Sequence, residues 1–337
     1  MPATSTREDP ESVTRVRALA SLGVIAVASL AIGGASLAVG RAALRPDLSI
    51  VLLELRLFRT AAAFGAGAAL AVAGTLAQGL FRNPLADASV LGTSTGAILG
   101  GQLALLALTM IGASAPIPPE LVLPVGTLTG GAIATLAVVS LTPRDEGTLG
   151  LVLVGFVAST VLTGLSTTLT SVAQESYELS RALTAFSLGG VSTVGPAQLA
   201  MAAPLVLFGL VAAMRVAPSL DVLLSGEREA SSLGVQVRRV RRYGVAWLSV
   251  LVAAAVSVGA SAPFVGLVVP HALRRWLGEA HGPLLLASFF AGGAFLVLCD
   301  VVVRLIPTES ELPLGVVTSF LGAPVFVLLL RARAKEA

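Results

Sequence analysis

Charged residues along this chain fall in short clusters separated by long neutral stretches. Residues 18–40, 60–81, 88–119, 121–143, 147–174, 182–214, 243–270, 282–299 and 312–330 hold no Asp, Glu, Lys or Arg. A helix needs about 20 mostly apolar residues to cross the hydrocarbon core, and charge near the bilayer centre is costly. Each stretch therefore holds at least one span. The pattern predicts ten membrane helices, near 17–40, 57–81, 88–111, 119–141, 148–172, 195–215, 240–260, 264–278, 283–305 and 312–331. A further short helix is expected at the surface around 180–190. The domain reading follows: a cytoplasmic tail over 1–16, one polytopic domain over 17–331 with its longest cytoplasmic loop at 216–239, and a cytoplasmic tail over 332–337.

Arginine placement orients these spans. Alternate connections hold Arg15 and Arg17; Arg82; Arg144; the cluster Arg238, Arg239, Arg241 and Arg242; Arg274 and Arg275; and Arg331, Arg333 and Lys335. The positive-inside rule puts those connections, and both termini, in the cytoplasm. Arg41, Arg45, Arg56, Arg59, Arg181 and Arg304 fall on the other side. The first apolar run has 23 residues, against about 7–15 for a secretion signal, so it reads as a retained helix.

Composition agrees with a multi-pass protein of the cytoplasmic membrane. The 337 residues would allow two soluble domains, but 55% are hydrophobic and 12% charged, and mean hydropathy is +0.90. Soluble chains carry about twice that share of charge. The pI near 9.7 therefore reflects topology; no basic stripe interleaved with aromatics points to nucleic acid. Two His and one Cys leave little for a metal site and nothing for a disulfide framework. The single lysine is Lys335, so the chain has no phosphate-cradling G-x-x-x-x-G-K-[ST] loop. Any ATP hydrolysis belongs to another subunit, and no cofactor is expected on this chain.

Polar features inside this apolar frame carry the candidate chemistry. The connection from Arg215 to Arg242 is the longest. Pro218 and Ser219 predict a break before a short helix over Asp221–Leu224; Gly226 ends it, and Glu227–Leu233 forms a second, closed by Gly234. Leu223, Leu224, Ala230 and Leu233 on those helices suggest a compact docking knob. Ser159, Thr163, Ser166 and Thr170 share one face of the fifth span. They suit either an uncharged substrate path or close helix packing with back-bonded hydroxyls. Gly92-Thr-Ser-Thr-Gly96 matches the G-x-S-x-G nucleophile elbow, but inside an apolar span and without its strand context. The same Gly92, with Gly96 and Gly100, makes a small-residue contact face. Asp300 pairs with Arg304 at i,i+4. His271 and His281 flank a turn, with Glu279, at a spacing that fits no common metal set. Cys299 reads as packing.

Five runs carry a family likeness: Arg56-Leu-Phe-Arg59, GTLAQGLFRNPLADASVLGTSTGAILG (74–100), SGEREASSLGVQVRR (225–239), FVGLVVPHALRR (264–275) and ELPLGVVTSFLGAP (311–324). In that order they resemble the FecCD-type permease subunits of iron-siderophore, haem and cobalamin ABC importers, over about residues 51–331. The resemblance implies an all-α integral membrane protein of about ten transmembrane helices, with the BtuC-like permease fold of type II importers. It implies a second permease subunit, identical or paralogous, two ABC ATPase subunits that bind ATP and magnesium, and an extracytoplasmic substrate-binding protein. By the same resemblance, Leu224, Ser225, Gly226, Glu227, Ala230, Leu233, Gly234 and Val235 belong to the loop that couples to the ATPase. Arg56, Arg59 and Arg304 meet acidic residues of the binding protein, and Thr142, Pro143 and Arg144 stand at the cytoplasmic gate. The chain departs from the family at Ala260-Ser-Ala-Pro263 before Phe264, which displaces the proline at the break between spans seven and eight. It also lacks a frequent Trp in AFSLGG (185–190). The function implied is inward movement of a ferric siderophore, or of haem or cobalamin. An ion-coupled secondary transporter is the alternative, with Asp300 as its one intramembrane carboxylate.

Overall fold

The described residues of this computed structural model are 10–39, 49–111, 118–143, 147–191, 194–259, 261–306 and 312–334. They form twelve α-helices and no strand: α1 (Pro10–Ala38), α2 (Ser49–Phe81), α3 (Thr93–Ile111), α4 (Pro119–Leu141), α5 (Gly147–Val172), α6 (Tyr177–Leu188), α7 (Pro196–Leu223), α8 (Glu227–Ser232), α9 (Val237–Ser257), α10 (Val265–Leu277), α11 (His281–Leu305) and α12 (Leu314–Ala334). Eight of them, α1–α5, α7, α9 and α11, are long and apolar enough to cross a membrane, and α12 has a shorter apolar run, Leu314–Leu328. α10 has 13 residues, so it extends only about 20 Å and cannot span a core of about 30 Å alone. It is instead buried, from Val265 to His271 and at Leu273.

Each predicted span is helical, with differences of boundary; α1 begins at Pro10, seven residues before the expected position 17 and within the expected tail. α2 begins eight residues before the expected position 57, carrying Arg56 and Arg59 on its first turns. The third span is broken: Asp87 caps a 3-10 turn over Ala88–Leu91, accepting from the Ser89 N–H, and Gly92 (φ 72°) re-aims the chain before α3 starts at Thr93. The separate helix expected after Pro218 does not exist. α7 runs through Pro204 and Pro218 to Leu223 as one helix. Membrane helices tolerate such prolines because neighbouring groups re-satisfy the freed backbone.

Packing centres on α2, whose middle is faced with small residues: Ala62, Ala63, Ala66, Ala68, Ala69, Ala71 and Ala73 are all buried. α7, α9, α10 and α11 pack around it. In lipid there is little hydrophobic drive between helices, so contact depends on how closely backbones approach. Gly74 of α2 and Gly266 of α10 illustrate this; a Cβ on Gly74 would overlap the Gly266 backbone. Of the expected Gly92, Gly96 and Gly100 face, Gly96 and Gly100 do the same for α3 against Gly126, Gly130 and Ala134 of α4, while Gly92 precedes the helix and faces Gly155 and Ser159 of α5. Outward positions such as Val27, Phe156, Val161, Phe208 and Phe320 expose large apolar side chains, as a lipid-facing surface requires.

The break between α9 and α10 ends at Phe264, whose φ of 69° is left-handed. Such a conformation costs a non-glycine residue about 1–2 kcal/mol. The Phe264 carbonyl accepts from Leu267 and Val268 N–H groups at 3.2 and 2.8 Å, which starts α10 at the next residue. Phe264 packs against Gly322 of α12. The displaced Pro263 thus lies one residue before that turn, inside the break.

Candidate coupling knob, polar cavities and arginine cluster

Thirteen residues, 224–236, link α7 to α9 through the short α8, and glycines shape both ends. Gly226 (φ 122°) and Gly234 (φ 85°) adopt backbone conformations closed to most side chains. Backbone bonds close the knob: Gly226 N–H to Leu223 O at 3.1 Å, Ala230 N–H to Gly226 O at 2.9 Å, and Val235 N–H to Ala230 O at 2.9 Å. The sequence placed four apolar residues on its surface; the fold divides them. Leu223 and Ala230 are buried and anchor the knob, while Leu224 and Leu233 are 43% and 70% exposed. Ser225 lies between them on the turn. The Glu227 carboxylate takes Arg241 of α9 at 2.6 Å and Arg82, beyond the end of α2, at 3.7 Å. Three segments therefore meet at one acid.

Below the knob, a second acid fastens α7 to α11. Asp221 Oδ1 accepts the His281 backbone N–H at 2.8 Å and lies 2.7 Å from His281 Nδ1. His281 is wholly buried. Nearby, Gln78 of α2 donates to the Gly266 and Leu267 carbonyls at 3.4 and 3.3 Å and accepts from Arg274 Nε at 3.3 Å. Arg274 also pairs with Glu279. His271, Glu279 and His281 thus serve separate local contacts.

The hydroxyl face of α5 back-bonds to its own helix and also borders a cavity. Ser159, Thr163 and Thr170 donate to carbonyls four residues back, at 2.8, 2.7 and 3.0 Å. Thr163, Ser166 and Thr170 also line a cavity of about 310 Å³ with Thr95, Thr167, Thr184 and Ser187. Gln102 of α3, which the sequence reading passed over, is fully buried behind it. It donates to Thr170 Oγ1 at 3.2 Å and Ser187 Oγ at 2.8 Å, and its Oε1 has no partner. Its one sequence signal is an amide within an uncharged span. Ser94, the serine of the elbow-like motif, lines a second cavity of about 340 Å³ beside Phe264. Thr142 and Pro143 line a third, of about 330 Å³, with Arg238, Arg241 and Arg242. Arg144 lies outside the described residues.

At the opposite end from the knob, the outer arginines are largely committed to the fold. Arg59 Nε and Nη2 both reach Asp300 Oδ1 at 2.8 Å. Arg304 pairs with Asp300 Oδ2 and donates to Ser36 O and Thr60 Oγ1, both at 3.2 Å. The expected i,i+4 pair exists, with Arg59 of α2 added. Asp300 therefore holds two guanidiniums, an arrangement unlike the uncommitted carboxylate an ion-coupled carrier uses. Arg56 is half-buried and donates to Leu37 O at 3.0 Å.

Comparison with known proteins finds relatives over most of the chain. The FecCD transport family model matches residues 18–332. The chain is 36% identical over 292 residues to the cobalamin import system permease protein of Halobacterium salinarum, covering 86% of this chain and 75% of that protein. It is 34% identical over 293 residues to the hemin transport system permease protein of Yersinia pestis, covering 85% of each. With the Fe(3+) dicitrate transport system permease protein of Escherichia coli it shares 35% over 284 residues, 83% of this chain and 85% of the other. A solved metal-chelate type ABC transporter in an inward-facing conformation superposes with a TM-score of 0.82 at 26% identity, covering 92% of this chain and 98% of that one.

Proposed function

This chain belongs to the FecCD transport family, and from that premise we propose a division of labour within an ABC importer. It is the multi-pass permease subunit and forms the membrane path; the chemistry of ATP belongs to two partner ATPases, which carry the nucleotide and magnesium. The knob from Leu224 to Val235 is the surface the ATPase grips. The observation that carries this reading is its geometry: a short helix closed by two left-handed glycines, presenting Leu224 and Leu233 to solvent above a three-way salt bridge. Nucleotide can shift the permease between inward and outward openings only through contacts that differ in the two states, and the knob is where such contacts would be made.

The cargo we propose is a ferric siderophore, with haem and cobalamin as the related chelates. Relatives named for cobalamin, hemin and iron(III) dicitrate support this class. A path of uncharged hydroxyls, as on α5, would hold a bulky chelate weakly enough to release it. A second permease, identical or paralogous, completes the path, and both termini lie in the cytoplasm. Delivery falls to an extracytoplasmic binding protein; of the three outer arginines, Arg56 carries least of the internal pairing and is the first candidate to meet its acidic residues.

Reconstitution in vesicles tests the whole reading. Radiolabelled ferric siderophore, haem and cobalamin are offered to the chain alone, and to the chain with the ATPase and binding protein of the same importer. Uptake is expected only in the full assembly and only with ATP. Uphill uptake by the chain alone would favour an ion-coupled carrier and refute the division of labour.

A further inference from the structure

We propose that Asp221 and His281 form the joint through which movement of the knob reaches α11, making Asp221 a positioning residue for coupling. The proposal rests on the coupling reading above and adds to it a route into the membrane. Asp221 lies on the last turn of α7, three residues before the knob begins. His281 is the first residue of α11. The first backbone N–H groups of a helix have no partner within it, and a carboxylate there is favoured by the helix dipole. Here that carboxylate comes from another helix, and it takes the His281 ring as well as its backbone.

The ring side of the joint is rigid. His281 is 0% exposed, while Asp221 is 40% exposed. A Cβ on Gly79 of α2 would come within 2.5 Å of His281 Nε2, so the ring fills its slot and cannot follow Asp221 by tilting. A displacement of α7 at the knob must either break two bonds to one oxygen or carry the end of α11 with it. From this joint α11 runs 25 residues, about 37 Å, with Asp300 and Arg304 near its far end. There it is fastened to Arg59 and Thr60 of α2 and to Ser36 of α1. One straight element thus connects the knob to the arginine cluster at the far end.

The test uses the assembled permease and ATPase and needs no cargo. Leu305, 60% exposed at the far end of α11, is replaced by cysteine, and its maleimide labelling is compared without nucleotide and with vanadate-trapped ADP. The protein without Leu305→Cys, whose one thiol at Cys299 is buried, is the blank. In the otherwise native chain, trapping is expected to change the labelling rate by about fivefold or more. Asp221→Ala should abolish that change while ATPase association and basal hydrolysis persist. Asp221→Asn, which keeps an acceptor oxygen, should restore it. The proposal is overturned if the native chain shows no change, if Asp221→Ala keeps it in full, or if Asp221→Asn is as defective as Asp221→Ala. Should Asp221→Ala fail to assemble, His281→Leu decides: it keeps the backbone bond, has no side-chain donor for Asp221, and an undiminished change there is equally fatal. Leu233→Asp examines the coupling reading separately, since an ATPase that still binds this variant refutes that reading whatever Asp221 does.

Discussion

Glu227 and Asp300 are each held by two arginines, yet their surroundings make opposite predictions. Glu227 is over a third exposed, and exposed pairs are worth about 0–1 kcal/mol. Glu227→Arg should therefore leave insertion and thermal stability nearly unchanged while it sets three guanidiniums against one another at the knob. The expected result is ATP turnover that continues with uptake per ATP reduced by about tenfold, measured in the reconstituted assembly. Gly234→Pro should act alike, because proline is fixed near φ −65° where the chain needs 85°. Normal uptake in both variants would remove the knob from the coupling route. Asp300 is buried, and its neutralisation removes the one anionic partner it gives both Arg59 and Arg304. Breaking a buried pair from one side costs about 3–5 kcal/mol, so Asp300→Asn should lower the thermal midpoint in detergent markedly. The Asp300–Arg304 half of this cluster was legible from an i,i+4 spacing. Arg59 was not, lying 241 positions away, nor was the Asp221–His281 pair across 60 positions. Periodicity reports one helix at a time.

Between helices, close backbone approach outweighs polar bonding. Thr93, Thr135 and Ser249 join α3, α4 and α9 through hydroxyl contacts of 2.8, 2.9 and 3.3 Å, but such bonds in membranes average about 0.6 kcal/mol. Gly100→Leu would drive a side chain into the Gly126 backbone, and overpacking costs about 1–3 kcal/mol or more. Thr135→Val, which removes the α3–α4 hydroxyl bond, should thus shift the unfolding midpoint slightly and Gly100→Leu several times further; the reverse order would mean that hydroxyls, not glycines, hold α3 to α4. The sequence located the eight long spans because charge is costly in lipid, but it also counted the 13-residue α10 as a span. Its four-residue glycine repeat identified Gly96 and Gly100 of the α3 face but wrongly included Gly92. It misjudged the end of α7 for a physical reason: Pro218 stops a helix in water more readily than one braced by neighbours in a membrane. The 3-10 turn after Asp87 was equally hidden, since apolar composition alone cannot separate one helix from a turn leading into another.

For the whole assembly, Arg56→Glu is expected to weaken docking of the binding protein, and the loss should shrink as ionic strength rises and the Debye length falls below about 8 Å. Binding that ignores both charge and salt would exclude an electrostatic role for Arg56. The family and overall architecture were legible from five motifs, whereas the cavities and the arginine cluster needed the fold, because each gathers side chains from several helices. One consequence of the alanine-faced α2 follows from friction. Bulky interlocked side chains must climb past one another before two rods can slide, but a smooth face of methyl groups presents only shallow ridges. The alanine-rich stretch is therefore expected to act as a bearing, gripping its neighbours by area and letting them glide by small steps. Roughening it, as with Ala69→Val, should slow turnover well before it loosens the structure.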